Sequence, residues 1–266
     1  MRTRASRTLL LTVSGALVAL AGALVPVAAE AGTSYVALGD SYAAGVGTRS
    51  YYDSSGSCQR SPYAYPVLDA ARVGASLSFR ACSGATTADV LANQLGTLGA
   101  ATTYVSVQVG GNDAGFTHVV TTCAEPSWAS HCGAAIDSAQ SYIKNTLPGR
   151  LDKVYAAVAS KAPYAKVTVV GYPHLFNGEE CNAGTWFSPT EETRLNQTAD
   201  QLDAVTKARA TAHGFAFVNP VTAFTGHAVC DDTEWINGLS KPVSESYHPN
   251  RKGQVGYANL VDDHLS

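Results

Sequence analysis

The chain has 266 residues, 45% of them hydrophobic and 15% charged, with 18 Lys and Arg against 21 Asp and Glu for a formal net charge of −3. That apolar fraction suits a domain with a sizeable buried core. The lack of any basic run or stripe excludes nucleic acid as a natural partner.

Arg2, Arg4 and Arg7 open the chain, Leu9 to Pro26 carries no charge, and Val27–Ala29 or Ala29–Ala31 offers small residues for cleavage. The apolar run is short for a membrane span and no stop-transfer cluster of Lys or Arg follows it. Residues 1–30 therefore read as an export signal, not a transmembrane anchor. With three Arg and one Glu removed, residues 31–266 hold 15 basic and 20 acidic residues, a formal charge of −5. No repeat, linker or composition shift divides them, so a single domain is expected.

Tyr35 to Leu38 has the pattern of a short buried strand and runs into Gly39-Asp40-Ser41-Tyr42. Leu77 to Ala81 reads as a second strand stopping at Cys82-Ser83-Gly84, and from Thr86 to Leu95 apolar residues return at helical spacing. Tyr104 to Val109 is the clearest strand and ends in Gly110-Gly111-Asn112-Asp113. Ile136 to Ala162 looks helical, interrupted at Pro148-Gly149. Val167 to Val170 is a fourth strand, Pro189 to Ala212 a long amphipathic helix, Phe215 to Val218 a fifth strand, and Asn250 to Leu265 a closing helix. Strands alternating with helices indicate parallel βαβ units, whose ligands bind at the carboxyl ends of the strands. The polar clusters after the first three strands fall there.

All six cysteines follow the export signal. An even number in an exported chain reads as disulfides, and no CxxC spacing suggests zinc. Sequence alone does not choose among the pairings; sequential pairing closes the shortest loops, giving Cys58–Cys82, Cys123–Cys132 and Cys181–Cys230.

There is no Gly-x-Ser-x-Gly elbow, because Ala43 stands where the second Gly would be, and no HExxH, Walker loop or GxGxxG. What remains is Ser41 at a strand end, Ser83-Gly84, Gly111-Asn112-Asp113, and Tyr247-His248-Pro249 near the C-terminus. A serine hydroxyl needs a base to take its proton, and the tetrahedral intermediate needs donors converging on its oxygen. Ser41 and His248 can supply nucleophile and base. The N–H groups of Ser41 and Gly84 and the side-chain amide of Asn112 can form the oxyanion hole.

These four blocks resemble the SGNH, or GDSL-type, hydrolase family, whose name lists its Ser, Gly, Asn and His. They match Ser41, Gly84, Asn112 and His248 in order, over essentially all of 31–266. The surrounding stretches are similar to secreted lipases and phospholipase A1 of streptomycete-type actinomycetes. The resemblance implies a three-layer α/β/α sandwich with a five-stranded parallel sheet, flavodoxin-like in class. It implies hydrolysis of carboxylic esters of lipids, phospholipid first and acylglycerol second, by a secreted monomer without metal or organic cofactor. A polysaccharide deacetylase and a non-catalytic binding protein are the other readings.

The remaining candidates follow from position. Asp40 shapes the turn before Ser41, and Asp113 braces the Asn112 loop. His118, His131, His174, His213, His227 and His264 read as surface or packing. Tyr51, Tyr52, Tyr63, Tyr65, Trp186, Phe187, Phe224 and Trp235 are candidates for an acyl groove, although ordinary packing serves each as well. The family commonly places Asp three residues before the base; here that residue is Glu245. The acceptor that orients His248 is therefore either the backbone carbonyl of Ser246 or the Glu245 carboxylate.

Overall fold

Near-continuous apolar runs fit strands buried on both faces, and three such strands form the middle of the sheet. In the computed structural model, which describes residues 32–265, they are β1 (Ser34–Gly39), β3 (Tyr104–Gln108) and β4 (Lys166–Val170). The shorter, half-buried β2 (Ser76–Phe79) and β5 (Ala216–Val218) lie at the edges. All pairs are parallel in the order β2-β1-β3-β4-β5, with Val36 opposite Val105 and Val105 opposite Val167. Because β2 and β3 leave β1 on opposite sides, a crevice opens beyond the carboxyl ends of β1 and β3. The expected export signal lies outside the described residues. No helix among the described residues is long and apolar enough to cross a membrane.

Helices cover both faces. On one side α2 (Tyr65–Arg72), α8 (Val221–Phe224) and α9 (Arg251–Asp262) pack together. On the other side are α4 (Phe116–Cys123), α5 (Cys132–Asn145), α6 (Leu147–Lys161) and α7 (Pro189–Ala212). Two one-turn helices, α1 (Ser41–Ala44) and α3 (Thr87–Asp89), follow β1 and β2. The expected architecture is thus present. The helix from Pro189 starts at a capping box between Ser188 and Glu191, with Pro189 in the first turn where its missing N–H costs nothing.

Three expectations shift. The helix expected over 136–162 is two helices that break at Thr146; Pro148 and Gly149 fall inside the first turn of α6, where proline is tolerated. The helix expected over 86–95 is regular only through Asp89, then widens into a π turn at Val90–Gln94 and tightens into a 3-10 turn at Leu95–Thr97. Asn250 caps α9 and is not its first residue.

One feature positions the site. Gly110, just past β3, faces Leu147 and Leu202. The part of α7 before Leu202, and α5 before Leu147, therefore stand beyond the carboxyl edge of the sheet. They run side by side, tied by Arg194 to Asp137 at 2.6 Å and Gln140 to Thr198 at 2.9 Å. Disulfides join Cys58 to Cys82, Cys123 to Cys132 and Cys181 to Cys230.

Candidate active site

The end of β1 admits only glycine at 39. Its φ is +141°, and a Cβ there would lie 2.3 Å from the Gln108 carbonyl oxygen. The Gln94 side chain pairs with both backbone groups of Gly39 at 2.8 Å. Asp40 then caps α1: its Oδ1 accepts from the Tyr42 N–H at 3.0 Å and its Oδ2 from the Tyr172 hydroxyl at 2.5 Å. Burial pushes the Asp40 carboxyl up to about 7, against the pull of the Tyr172 bond. Its place is the turn, as expected. Ser41 is the first residue of α1, so its N–H has no carbonyl within the helix to meet.

His248 reaches this point from a loop held at several atoms. The Asn237 N–H donates to the His248 carbonyl at 2.9 Å, the Tyr247 N–H to the Asn237 carbonyl at 2.9 Å, and the Tyr42 hydroxyl to the Tyr247 carbonyl at 2.7 Å. Tyr247 itself sits at φ +58°, a left-handed conformation costly for a bulky residue, and its ring is packed against Phe176 and Phe187. The result brings His248 Nε2 to 2.8 Å from Ser41 Oγ. On the far side of the ring Nδ1 lies 2.8 Å from the Ser246 carbonyl oxygen. A carbonyl only accepts, so Nδ1 carries the hydrogen and Nε2 offers its lone pair to the serine hydroxyl. Burial drives the imidazole down to about 4, with the Ser246 carbonyl pulling weakly upward.

Glu245 is buried but serves another contact. One oxygen accepts from the Tyr51 hydroxyl at 2.6 Å, and the other lies 3.7 Å from Arg49 Nε. The group at Nδ1 is the Ser246 carbonyl.

Gly84 and Asn112 arrive on loops after β2 and β3. Gly84 has φ +77°, while a Cβ would meet nothing within 4 Å; conformation, not crowding, calls for glycine. The Asn112 amide donates to the Ala85 carbonyl at 3.0 Å, which aims the side chain and ties the two loops together. Asp113 strengthens the tie by accepting from the Thr87 N–H at 2.8 Å and the Thr87 hydroxyl at 2.6 Å. The brace expected at Asp113 is present, and it joins the Asn112 loop to the start of α3.

Ser41 opens into an apolar cleft. Its walls are Phe116, Val119 and Val120 from α4, Ala139 and Ile143 from α5, and Leu195, Ala199 and Leu202 from α7. None of the eight aromatics expected for an acyl groove lines it. Tyr65 and Phe224 pack on Tyr257 of α9, Trp235 packs on Phe224, Phe187 packs on Phe176, Tyr51 holds Glu245, and Tyr52, Tyr63 and Trp186 are exposed. Tyr172, missed in the sequence, closes the cleft floor beside Asp40; its signal was the strand-end run Gly171-Tyr172-Pro173. Of the other histidines, His174 pairs with Asp200, His213 with Asp152, and His227 stacks on Trp235.

A doubly wound sheet with a Ser–His contact and an apolar cleft over its switch point has the form of an α/β/α ester hydrolase. Residues 37–255 match the GDSL-like Lipase/Acylhydrolase family. The chain is 46% identical to a lipase of Streptomyces rimosus over 98% of this chain and 97% of that one. The crystal structure of phospholipase A1 from Streptomyces albidoflavus is similar at TM-score 0.83 and 45% identity, covering 88% of this chain and 100% of that one. An acetylxylan esterase mutant from Geobacillus stearothermophilus, at 15% identity and TM-score 0.58 over 88% of this chain and 94% of its own, shares the fold alone. The chain belongs to the GDSL-like lipase/acylhydrolase family. It is a carboxylic ester hydrolase.

Proposed function

We propose that the protein is an exported phospholipase A1 in which Ser41 is the nucleophile and His248 the base. Ser41 Oγ attacks the ester carbonyl carbon while His248 Nε2 takes its proton. Charge on the carbonyl oxygen is held by the N–H groups of Ser41 and Gly84 and the Asn112 amide. The intermediate expels the lysophospholipid oxygen, which takes the proton back from Nε2. Water then attacks the acyl-enzyme with Nε2 again as base, and the fatty acid leaves. The Ser246 carbonyl orients the imidazole, so the pair is a dyad.

The observation that carries this reading is the 2.8 Å approach of Nε2 to Ser41 Oγ at the mouth of a cleft walled by aliphatic side chains. Such walls suit a fatty acyl chain and give nothing to the polar sugar around an acetyl ester. Likeness to a phospholipase A1 over the whole of that chain favours phospholipid, while likeness to a lipase favours acylglycerol as the second substrate. Residues 1–30 act as the export signal and 31–266 as the single catalytic domain, a reading supported by the Arg-led apolar start and by three disulfides.

The test is hydrolysis of a mixed-acyl phosphatidylcholine, with mass spectrometry of the lysolipid. Loss of the acyl chain from the first glycerol position is expected. Loss only from the second position, or no lysolipid at all, overturns the phospholipase A1 reading.

A further inference from the structure

A second recess shares no residue with the apolar cleft, yet Gly84 forms part of its wall. Around it stand Arg60, Arg80, Ser83, Asp89 and Asn93. The Cys58–Cys82 disulfide fastens the segment bearing Arg60 to the segment that runs from Arg80 to Gly84, and the Ser83 N–H donates to the Cys58 carbonyl at 3.0 Å. Arg60 donates to the Ala81 carbonyl at 3.4 Å and Arg80 to the Asn93 carbonyl at 3.2 Å. Those carbonyls hold the guanidinium groups without neutralising them.

Among the described residues neither arginine has a carboxylate within ion-pair distance. Asp89, the acidic residue in the wall, is occupied in capping α3, where it accepts the Thr86 N–H at 2.9 Å and the Thr86 hydroxyl at 2.6 Å. Burial and the neighbouring charge of Arg80 together push the Arg60 guanidinium below its ordinary range. Two like charges thus face one space, and an entering anion relieves both.

We propose that this recess is the subsite for the phosphodiester of a phospholipid substrate, with Arg60 and Arg80 as its donors, a reading that rests on the phospholipase activity proposed above. The planar fork of a guanidinium matches two phosphate oxygens. With the ester carbonyl oxygen at the Gly84 N–H, the acyl chain runs into the cleft between α4, α5 and α7. The glycerol carries its phosphate, a few bonds away, past the other side of Gly84. An uncharged acylglycerol has no group for this recess, so the arginines select phospholipid.

The test compares phosphatidylcholine with diacylglycerol of the same acyl chains, both in neutral detergent micelles, using the full-length protein and its Arg80→Gln and Arg80→Glu variants. Arg80 is exposed, so neither change disturbs the core. The phospholipid-to-diacylglycerol ratio of kcat/KM should fall about tenfold or more in Arg80→Gln, the worth of one charged hydrogen bond, and further in Arg80→Glu. A ratio that holds in both variants overturns the subsite. Wild-type protein that cleaves diacylglycerol but not phosphatidylcholine overturns the phospholipase reading instead. The subsite is then tested alone: glycerophosphocholine should inhibit diacylglycerol cleavage, less so in Arg80→Glu, and no inhibition sinks it. Inorganic phosphate inhibiting as strongly as glycerophosphocholine would make the recess a general anion site and refute the headgroup assignment.

Discussion

The Nδ1 of His248 and the carbonyl oxygen of Ser246 are 2.8 Å apart, and this contact makes an uncharged group the partner of the proposed base. A carboxylate there would raise the imidazole pKa; a carbonyl raises it little, and burial takes it down from 6.5 to about 4. The proton-free form is the active one, so activity is lost as pH falls through the folded value and is full above it. The acid limb of kcat/KM should therefore centre near 4, and an unperturbed imidazole's step at about 6.5 should be missing. A limb centred near that unperturbed value would show a base that titrates as if solvated.

Ser41→Ala and His248→Ala should each cut turnover by several orders of magnitude, and the double variant should be no slower than either. On the proposed mechanism, nucleophile and base at 2.8 Å act as one unit. Single-turnover assays on the three proteins check this. A double variant much slower than both singles means that each residue acts without the other.

Asn112→Ala should lower turnover about 10²–10³-fold, with KM nearly constant, because one oxyanion donor is lost. The variant also breaks the tie to the Ala85 carbonyl, so Thr87→Val is the control. It loosens the same pair of loops at Asp113 while keeping the amide. If Thr87→Val is as slow as Asn112→Ala, the amide matters for holding the loops and not as a donor.

The candidate site was legible in sequence where chemistry demands a residue type at a strand end. Ser41, Asn112 and Gly84 each follow a parallel strand, and the fold class follows from strands alternating with helices. The cleft was not legible. Its walls depend on α5 and α7 standing beyond the sheet edge, a tertiary relation with no local signature. α4 is eight residues long and follows a glycine-rich loop, too short to show a period, yet it supplies Phe116, Val119 and Val120. The aromatics expected instead were chosen by type; Phe224 and Trp235 answer to packing on α8 and α9.

Ala199 sits half-buried on the cleft wall of α7 between Leu195 and Leu202. Ala199→Phe should fill the space that a long acyl chain uses. Each methylene kept out of the cleft forfeits about 0.8 kcal/mol, so displacing two or more should cost about tenfold or more in kcat/KM. Hydrolysis of long-chain nitrophenyl esters should fall by that factor relative to the acetate ester. Equal loss on both esters would mean that the acyl chain does not enter between α5 and α7.

Glu245 stands three residues before the base, where an acid would complete a triad, and its side chain is instead bound by Tyr51 at 2.6 Å with Arg49 at 3.7 Å. These contacts fasten the loop after α1 to the turn that carries Ser246. Gln at 245 keeps an acceptor for the Tyr51 hydroxyl and loses the carboxylate's long contact to an exposed arginine, so the tie to Tyr51 survives the change. Loss of a true triad carboxylate costs about 10⁴ in turnover. Glu245→Gln should therefore keep at least about a tenth of wild-type turnover, and its acid limb should stay where the wild-type limb lies. Glu245→Ala should behave differently: it removes the acceptor of the half-buried Tyr51 hydroxyl and lowers the melting temperature, because a lost hydrogen bond of this kind costs about 1 kcal/mol. A thousandfold or greater drop in Glu245→Gln, with circular dichroism unchanged, would make Glu245 the third catalytic residue and the Ser246 carbonyl a bystander.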